Sequence, residues 1–568
     1  MTDISIGSVT VEGNVMLLRS LMRRFSLILI MLLCWGSMNQ AGWAQEPKAP
    51  DLSEFSDAAA ALRHGEELET SRHWPEAIEF YEAALKKWEK DGDLTYALRR
   101  TRIHFGIDRR YTDKSFDQRI LRKGRSETLD LYEDILARVQ FEYVDSISVT
   151  KFVSHGTESL YMALGNEKFV KRNIPNASPE AVKKLRDTLI QQYWNRPVDT
   201  RLDARNLIIG ICELSDRELK LSGTAVVMEY VFGGCNALDE YSNFLTPDRY
   251  NDLFGSIQGE LVGIGIEMKA VKGKGMHLVN VLLDSPAEDG GLLPDDYIVA
   301  IDGVDCREMT VDDAAGLLRG QSGSTVRLTW TTPAGKDSEG SFVRRRVQIR
   351  SVTRAMMLDE TQGIGYIRME GFQNTTAEEL DEALRSLERQ GMKALIWDLR
   401  ENPGGLLETA AAVLERFIPS GVLVSTQGRA SEQNQVFRSS GANVRNYPLA
   451  LVVDENSASA SEIVAGAIHD HRRGTIVGRR TYGKWSVQSI IRLPGEADMG
   501  LKLTTAKFYS PANENYSGKG LAPDVEVPRS EDLQVVAFRG RTPADLMTDP
   551  DVSRAFEVLE RRLTQNQK

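Results

Sequence analysis

The sequence predicts a multidomain α+β protein, and three observations lead to that prediction. The chain has 568 residues, and at about 150 residues per domain this length predicts three or four domains. Helical periodicity dominates to about residue 254, and short alternating strands follow it. Strand–helix units then occupy residues 347–530. We expect a domain boundary wherever the pattern changes.

Composition limits the classes of function. The chain has 70 basic and 81 acidic residues and a formal net charge of −11, so we do not expect nucleic acid as a partner. Hydrophobic residues make up 41% and charged residues 27%, which is typical of globular proteins. Collagen-like, low-complexity and disordered proteins are excluded. A polytopic membrane protein is excluded too, because the only long apolar run lies near the N-terminus.

Residues 1–44 are predicted to be a signal peptide. Arg23 and Arg24 precede an apolar stretch at 25–35, and small residues lead to Ala44. A stretch this short suits the apolar segment of a signal peptide better than a membrane span. We therefore expect export to the periplasmic or cell-envelope space. In the alternative, an uncleaved signal would keep the protein near a membrane.

Cysteine usage predicts an exported protein that does not depend on disulfides. Cys212, Cys235 and Cys306 follow the signal peptide, widely spaced and odd in number. No C-x-x-C pair occurs, so neither a zinc site nor a redox motif is expected. We interpret the three residues as buried apolar side chains, with a single bridge as the alternative.

Two helical segments precede the strands. Residues 45–125 are predicted to form a helical hairpin, and residues 126–254 further helices. The hairpin has small and aromatic residues at tetratricopeptide-like spacing, namely Gly65, Ala77, Tyr81 and Ala84. A lone repeat cannot bury its own faces. A hairpin docked on the next domain and a peptide-binding array therefore both stay open.

Residues 255–346 show a different pattern. It comprises strands at 261–268, 277–283, 297–303 and 325–330, a short helix from Ser285 and a helix at 311–318. This order resembles a PDZ domain. The resemblance implies that the loop Gly263-Ile264-Gly265 captures a chain-terminal carboxylate beside an added peptide strand. A small β-sandwich without a peptide role is the alternative.

One residue departs from the PDZ pattern. Asp295 stands where these domains usually carry glycine before Asp296. We expect this change to alter a turn and to leave the carboxylate loop intact.

Residues 347–530 are predicted to form an α/β core. Strands are expected at 364–369, 393–399 and 448–454, with helices at 406–417 and 460–471. A further helix is expected to open with a capping box of Thr375 and Glu378 and to run to about Arg389. Residues 531–568 are predicted to be a polar helical tail.

Several short motifs carry no function in this interpretation. No His-Glu-x-x-His occurs, and His469 would lie about 15 Å from Ser459 if both share one helix. The stretch 478–485 nearly matches a phosphate loop, but Trp485 replaces the hydroxyl and a strand follows. Ser148 and Lys151 have penicillin-binding spacing without a Lys-Thr-Gly companion. We therefore expect no nucleotide, metal or other cofactor.

A serine and a lysine remain as candidates for chemistry. Ser459 lies within 456–463 and Lys484 within 482–488. Burial among apolar groups disfavours the ammonium form of a lysine, which can then serve as a general base for a serine. Ser459 and Glu462 also have the spacing of a capping box. Both interpretations stay open, and they are compatible, because free N–H groups at a helix start also stabilise an oxyanion.

Four motifs resemble the carboxyl-terminal processing (tail-specific) serine proteases, as does the order of helical region, PDZ domain and core. The motifs are Asp398–Gly405, Ser457–Glu462, Thr481–Lys484 and Gly520–Asp524. Tyr241-Ser-Asn-Phe-Leu-Thr-Pro247, just before the PDZ segment, also fits this family. The resemblance spans about residues 130–530.

The resemblance implies a role for each matching residue. Ser459 would be the nucleophile, Lys484 its general base and Gln488 the residue that orients the lysine. The N–H groups of Ala460 and of Gly405, or its neighbour Gly404, would stabilise the oxyanion. The implied activity is cleavage of polypeptides near free, apolar C-termini, without a metal.

One departure concerns the candidate site itself. The family usually has glycine after the lysine, and this chain has Trp485. A large indole there could narrow the cleft, change specificity, desolvate Lys484 or block access. The alternative function is therefore an inactive protease-like scaffold whose PDZ domain binds peptide tails.

Overall fold

The computed structural model describes residues 52–496, 498–529 and 542–566. The predicted signal peptide lies outside the described residues, as does part of the predicted tail. None of the described helices is long and apolar enough to cross a membrane.

Residues 58–235 form a helical region in which most helices begin at a capping side chain. Asp57, Asp91 and Thr200 each accept a hydrogen bond from a first-turn N–H, which satisfies a donor that the helix leaves unpaired. Ser148 does the same for the Lys151 N–H, so this serine–lysine pair is a helix cap. The helices are α1 (Ala58–Thr70), α2 (Trp74–Lys87), α3 (Gly92–Thr112), α4 (Arg125–Glu142), α5 (Val149–Ala163), α6 (Glu167–Asn173), α7 (Pro179–Thr188), α8 (Arg201–Leu219) and α9 (Gly223–Cys235), with single π-turns at Phe116–Ile120 and Leu189–Tyr193.

The hairpin α1–α2 is docked on the helices that follow it. Gly65 lets the hairpin close, because a Cβ there would lie 2.2 Å from a ring carbon of Tyr81. Arg72 donates to Asp108 of α3 at 2.7 Å and to Glu167 of α6 at 2.6 Å. These bonds join the hairpin to the neighbouring helices and favour the docked arrangement over a peptide-binding array.

A PDZ-type sheet follows β1 (Asn243–Leu245) and α10 (Pro247–Gln258). Its strands run in the order β3-β4-β5-β7-β8, with β6 on β5, while β2 pairs separately with β9. The helix α12 lies beside the edge strand β3. The elements are β2 (Glu260–Gly263), β3 (Ile266–Val271), β4 (Gly275–Val281), α11 (Pro286–Asp289), β5 (Tyr297–Ile301), β6 (Val304–Asp305), α12 (Val311–Leu318), β7 (Thr325–Thr331), β8 (Asp337–Val343) and β9 (Arg345–Gln348).

Two details differ from the sequence prediction here. The single strand predicted at 261–268 is wrong: it is broken between β2 and β3 at Gly265, whose φ is +81°. The strand β8, rich in polar residues, was not predicted. Asp295 adopts a φ of +72°, which explains why glycine is usual at this position, and its carboxylate lies 2.9 Å from His277 Nε2.

The protease core is built on a second sheet with the strand order β10-β11-β12-β15-β16-β19. Pairing is parallel from β11 onward, and β10 is antiparallel. Helices α13, α14 and α15 pack on one face. The elements are β10 (Val352–Asp359), β11 (Ile364–Met369), α13 (Thr376–Arg389), β12 (Ala394–Asp398), α14 (Leu407–Leu414), β13 (Val422–Gly428), β14 (Gln435–Arg438), β15 (Leu449–Val453), α15 (Ala460–Asp470), β16 (Thr475–Gly478), β17 (Ser486–Arg492), β18 (Gly500–Tyr509) and β19 (Val525–Glu526).

The start of α13 differs from the predicted capping box. Thr375 precedes the helix, but its Oγ1 donates to the Glu379 carboxylate at 2.6 Å and accepts no N–H of the first turn. The helix itself has the predicted extent to within a residue.

A further sheet connects the core to the helical region. Its order is β1-β18-β13-β14, with β17 also paired to β18. Leu501 and Leu503 of β18 are buried in the same apolar cluster as helices α4, α5 and α9. Residues before and after the PDZ segment therefore share one core.

The C-terminal segment covers the other face of the core sheet. It contains α16 (Pro543–Met547) and α17 (Pro550–Asn566). Leu546, Val552 and Leu559 are fully buried against the sheet, so this segment is polar on its outer face only. Arg400, just after β12, donates to Asp549 and Asp551 at 2.9 Å each. The segment is thus a layer of the core.

Candidate active site

Ser459 lies at the carboxyl edge of the core sheet, where ligands of parallel sheets usually bind. It follows β15 and immediately precedes α15, with a φ of +59°, a conformation that is costly for a residue with a side chain. The side chain is fully buried, and its Oγ has no hydrogen-bond partner among the described residues. A buried hydroxyl in this state needs an explanation, and together with the strained backbone it makes Ser459 a candidate functional residue.

Neighbouring bonds hold Ser459 in this conformation. Ser457 Oγ donates to the Leu399 carbonyl at 2.8 Å. The Asn402 carbonyl accepts both the Ala458 N–H at 3.0 Å and Ser461 Oγ at 2.7 Å. The strained serine is therefore supported by the loop after β12.

Glu462 connects Ser459 to Lys484. Its Oε2 accepts the Ser459 N–H at 2.9 Å and the Lys484 N–H at 2.8 Å. The two backbone nitrogens thus lie within two hydrogen-bond lengths of each other. Glu462 makes the backbone contact expected of a capping box, and the same contact brings the two candidate residues together.

Lys484 lies in the loop between β16 and β17, and 5% of its surface is exposed. Its Nζ is 4.8 Å from the centroid of the Tyr241 ring, a cation–π contact. The loop is fixed from the other side, because Thr481 Oγ1 accepts the Leu521 N–H at 2.7 Å. Three of the quoted motifs and Tyr241 therefore meet around the lysine.

Gln488 is fully buried on β17. Its Nε2 donates to Ser486 Oγ at 3.0 Å and to Thr504 Oγ1 at 3.2 Å. Its Oε1 is buried without a hydrogen-bond partner in the described part of the chain. Gln488 Oε1 is thus, like Ser459 Oγ, a buried polar atom that the described residues leave unsatisfied.

The glycines after β12 contact the start of α15. A Cβ at Gly404 would lie 2.8 Å from Ser459 Cβ and 2.8 Å from the Ala460 nitrogen. The Gly404 N–H donates to Asn402 Oδ1 at 2.9 Å. Gly405 has a φ of +151° and forms an isolated bridge with Phe372. The structure therefore brings both glycines, Ala460 and Ser459 together.

The PDZ loop lies on a different core. The Ile264 carbonyl accepts the Ala287 N–H, and the Gly265 carbonyl accepts the Leu282 N–H, both at 2.9 Å. Gly265 leaves no room for a side chain, since a Cβ would lie 2.3 Å from Ser285 Cβ. These carbonyl bonds fix the turn at Gly263-Ile264-Gly265 beside the edge strand β3.

Trp485 points away from the surface. Its side chain is 1% exposed and stacks on Phe508, with ring centroids 4.6 Å apart and an interplanar angle of 22°. The ring therefore packs in the core, which does not favour narrowing of the cleft among the four possibilities for this residue.

Carboxylates near the site have altered pKa values. Burial raises the pKa of Glu462, although several hydrogen bonds to the carboxylate oppose this. Burial and the neighbouring Asp454 raise the pKa of Glu401, next to Asn402, to about 8. Burial would also raise the pKa of Asp398, but the Arg400 and Arg368 guanidiniums outweigh it and lower that pKa to about 2.

Sequence reasoning gave no role to several residues of the site. Asn402 and Tyr241 lie within quoted motifs, and Glu462 was interpreted only as a helix cap. These residues interact mostly with backbone groups and with a cation. The spacing of residues in a sequence does not predict such contacts. An Asn before Pro-Gly-Gly was the one local signal for a structured turn.

Comparison with known proteins agrees with this geometry. A family model described as peptidase family S41 matches residues 363–527, and one described as a PDZ domain matches 278–332. A carboxyl-terminal-processing protease of Synechocystis sp. is 36% identical over 298 residues, or 51% of this chain and 69% of the relative. One of Picosynechococcus sp. is 34% identical over 349 residues, or 60% of this chain and 76% of the relative. The chain belongs to peptidase family S41.

A solved structure is also similar. The photosystem II D1 C-terminal processing protease matches with 24% identity and a TM-score of 0.39, over 70% of this chain and 92% of that chain. Membership of family S41 confirms the predicted resemblance and the predicted combination of a helical region, PDZ domain and α/β core. An S41 serine protease with a PDZ domain acts on polypeptides.

Proposed function

We propose that this S41 protein is an exported serine endopeptidase that cleaves polypeptides near their C-termini by a Ser459–Lys484 mechanism. The observation that carries the proposal is the Glu462 carboxylate, one oxygen of which accepts the N–H groups of both residues. The partnerless Ser459 Oγ beside them supports the nucleophile assignment.

In the acylation step, the neutral Lys484 amine takes the proton of Ser459 Oγ. The oxygen attacks the carbonyl carbon of the scissile peptide bond, and a tetrahedral oxyanion forms. The C–N bond then breaks, and the Lys484 ammonium gives its proton to the leaving amine. An ester between Ser459 and the N-terminal part of the substrate remains.

In the deacylation step, Lys484 takes a proton from water, and the hydroxide oxygen attacks the ester carbon. A second oxyanion forms, the bond to Ser459 Oγ breaks, and Lys484 returns the proton to Oγ. The products are two shorter polypeptides, and no metal or cofactor takes part.

The oxyanion is bound by the N–H groups of Ala460 and Gly405 in this proposal. Ala460 is the first residue of α15, where backbone N–H groups and the helix dipole favour negative charge. Gly404 and Gly405 were both candidates as the second donor. The bond from the Gly404 N–H to Asn402 Oδ1 favours Gly405.

Gln488 orients Lys484 in the proposed active arrangement. The lysine Nζ then donates to Gln488 Oε1 and lies against Ser459 Oγ. Both acceptors are buried and unsatisfied among the described residues, and a lysine amine is the group that would satisfy both. Nζ reaches them by rotating from its contact with the Tyr241 ring.

The PDZ domain, proposed to span residues 255–346, holds the substrate C-terminus. The turn Gly263-Ile264-Gly265 presents its N–H groups to the terminal carboxylate, and the substrate adds as a strand beside β3. Support comes from the position of β3 at the sheet edge. The apolar residues Ile266 and Val311 on β3 and α12 fit an apolar tail.

Export rests on the N-terminal sequence. We propose that residues 1–44 direct the chain to the periplasmic or cell-envelope space and are removed after Ala44. Mass spectrometry of the protein from the envelope fraction tests this, with Gln45 expected as the first residue. A full-length chain in the cytoplasm would contradict it.

The catalytic proposal is tested by incubating residues 45–568 with an unfolded protein that has an apolar C-terminus. Fragments are identified by mass spectrometry for the wild type, Ser459→Ala and Lys484→Ala. The matched controls are Ser489→Ala, another buried serine, and Lys507→Ala, an exposed lysine of β18.

We expect cleavage by the wild type and both controls and none by the two site variants. Equal cleavage by the wild type and Ser459→Ala would contradict the proposal. No cleavage with retained tail binding would favour the scaffold alternative.

A further inference from the structure

The tryptophan after the proposed general base lies in an unusual setting. Trp485 occupies the position where related proteases usually have glycine. Its ring stacks on Phe508 and meets Tyr516 edge-on at 4.9 Å. The terminal ring carbon would lie 3.0 Å from a Cβ at Gly466 of α15. The indole therefore fills the space between α15 and β18, behind the site.

The polar atom of this side chain contacts the site. The indole Nε1–H donates to Glu462 Oε1 at 3.1 Å. The same oxygen accepts Thr481 Oγ1 and the Gly483 N–H, each at 2.7 Å. Trp485 thus supplies one of three donors to this oxygen.

These donors matter because the carboxylate of Glu462 is removed from water. Its side chain is fully buried. A buried carboxylate is costly unless hydrogen bonds replace its hydration. The five hydrogen bonds described for this carboxylate are all donated to it, and four of the donors are N–H groups, so a protonated carboxyl would place an O–H against an N–H.

We propose that Trp485 is a positioning residue for the Ser459–Lys484 pair, an inference that rests on the proposed function. Its indole N–H fixes Glu462 Oε1, and Oε2 then holds the Ser459 and Lys484 N–H groups. A glycine at this position offers no side-chain donor. The tryptophan that departs from the family pattern therefore adds one hydrogen-bond donor that holds Glu462 in place.

Removal of the indole N–H takes away one hydrogen bond to the Glu462 carboxylate. Oε1 loses a donor, the carboxylate is free to rotate, and its contacts to the Ser459 and Lys484 backbone weaken. The substrate tail is held at the PDZ domain and is not affected. We therefore expect kcat to fall and KM to stay nearly constant.

The test replaces Trp485 by 3-benzothienylalanine, which has the shape of tryptophan but carries sulfur in place of N–H. Trp485→Phe is the genetically encoded counterpart, and Tyr516→Leu removes a ring contact but no donor. We expect about a tenfold loss of kcat in both Trp485 variants. We expect KM and, for the sulfur analogue, Tm to stay close to wild type, and Tyr516→Leu to keep its kcat.

A wild-type kcat in the benzothienyl protein would overturn the proposal, because packing alone would then account for Trp485. An equal loss of kcat in Tyr516→Leu would overturn it in the same way.

A second measurement does not depend on turnover. The indole ¹⁵N–¹H resonance of Trp485 is assigned by its absence in Trp485→Phe, and we expect Glu462→Gln to shift it. An unshifted resonance would overturn the hydrogen bond itself. Absence of any Ser459-dependent cleavage by the wild type would instead overturn the proposed function and, with it, the catalytic role of Trp485.

Discussion

Gly404→Ala tests the geometry of the proposed oxyanion site. The glycine has a φ of +107°, which an alanine rarely adopts. The added Cβ would lie 2.8 Å from each of the Ala458 oxygen, the Ala460 nitrogen and Ser459 Cβ. Two of these atoms belong to the backbone, so α15 and the Gly404 loop must move apart.

The cost has two parts. The left-handed backbone alone costs about 1–2 kcal/mol in stability. In addition, the movement displaces the Ala460 N–H from the oxyanion, and the lost stabilisation of the oxyanion lowers kcat. Removal of one oxyanion donor typically lowers kcat by about 10²–10³-fold. We therefore expect a modest loss of stability and a kcat at least about a hundredfold below wild type.

Gly391→Ala is the matched control. This glycine has a φ of +92°, and a Cβ there would have nothing within 4 Å. It carries the backbone strain without the steric clash. Urea unfolding gives the stability of both variants, and cleavage of a peptide substrate gives kcat and KM.

We expect a larger loss of stability in Gly404→Ala than in Gly391→Ala, because only the former has the steric clash, and a loss of kcat only in Gly404→Ala. A wild-type kcat in Gly404→Ala would refute the placement of the oxyanion between this loop and α15.

Three further predictions concern other parts of the molecule. Glu462→Gln places an amide N–H against at least two donors, and we expect kcat to fall about a hundredfold or more, measured on peptide substrates. Gly265→Ala sets a Cβ 2.3 Å from Ser285 Cβ, and we expect about tenfold weaker binding of a labelled peptide tail, read by fluorescence anisotropy. Burial and Asp454 raise the pKa of Glu401 from 4.5 to about 8, so the stability contributed by its protonated form is complete below about pH 4.5 and lost as the pH rises through 8. The stability of Glu401→Gln relative to wild type should therefore rise by up to about 4 kcal/mol between pH 5 and 9 in urea unfolding.

Each of these has a control or a contradicting result. Glu388→Gln, in a solvent-accessible ion pair, should keep its kcat, and equal losses would contradict the role of Glu462. Gly273→Ala has a φ of +76° with nothing within 4 Å, and it should bind the tail normally. Parallel stability curves of wild type and Glu401→Gln over pH 5–9 would contradict the shifted pKa.

Elements with strong periodicity could be predicted from the sequence. The helix Val311–Leu318 and the strand Ile364–Met369 have the predicted bounds. The stretch 261–268 alternates well enough for one strand, yet Gly265 turns the chain between two sheets. A period-two pattern does not reveal which sheet each half joins. Strand β8 was missed because most of its side chains are polar and at least partly exposed.

The candidate site was only partly predictable. Spacing gave Ser459 and Lys484 as possibilities, and the family resemblance selected them. The role of Glu462 depends on backbone N–H groups from two segments that are distant in sequence, and no side-chain pattern encodes such bonds. The direction of Trp485 depends on the space left by Gly466 and on stacking against Phe508, which only the packed fold defines.

The clamp between Arg400 and the C-terminal segment makes the glycine loop depend on a distant part of the chain. Arg400 belongs to the loop that carries Gly404 and Gly405, and two of its carboxylate partners are Asp549 and Asp551. Loss of these aspartates would leave the buried Arg400 guanidinium with Asp398 as a remaining ionic partner. Loss of the whole segment would also uncover the apolar face of the sheet that Leu546, Val552 and Leu559 cover. Trimming of this segment would therefore act on the candidate site from a distance, without touching any residue that faces a substrate.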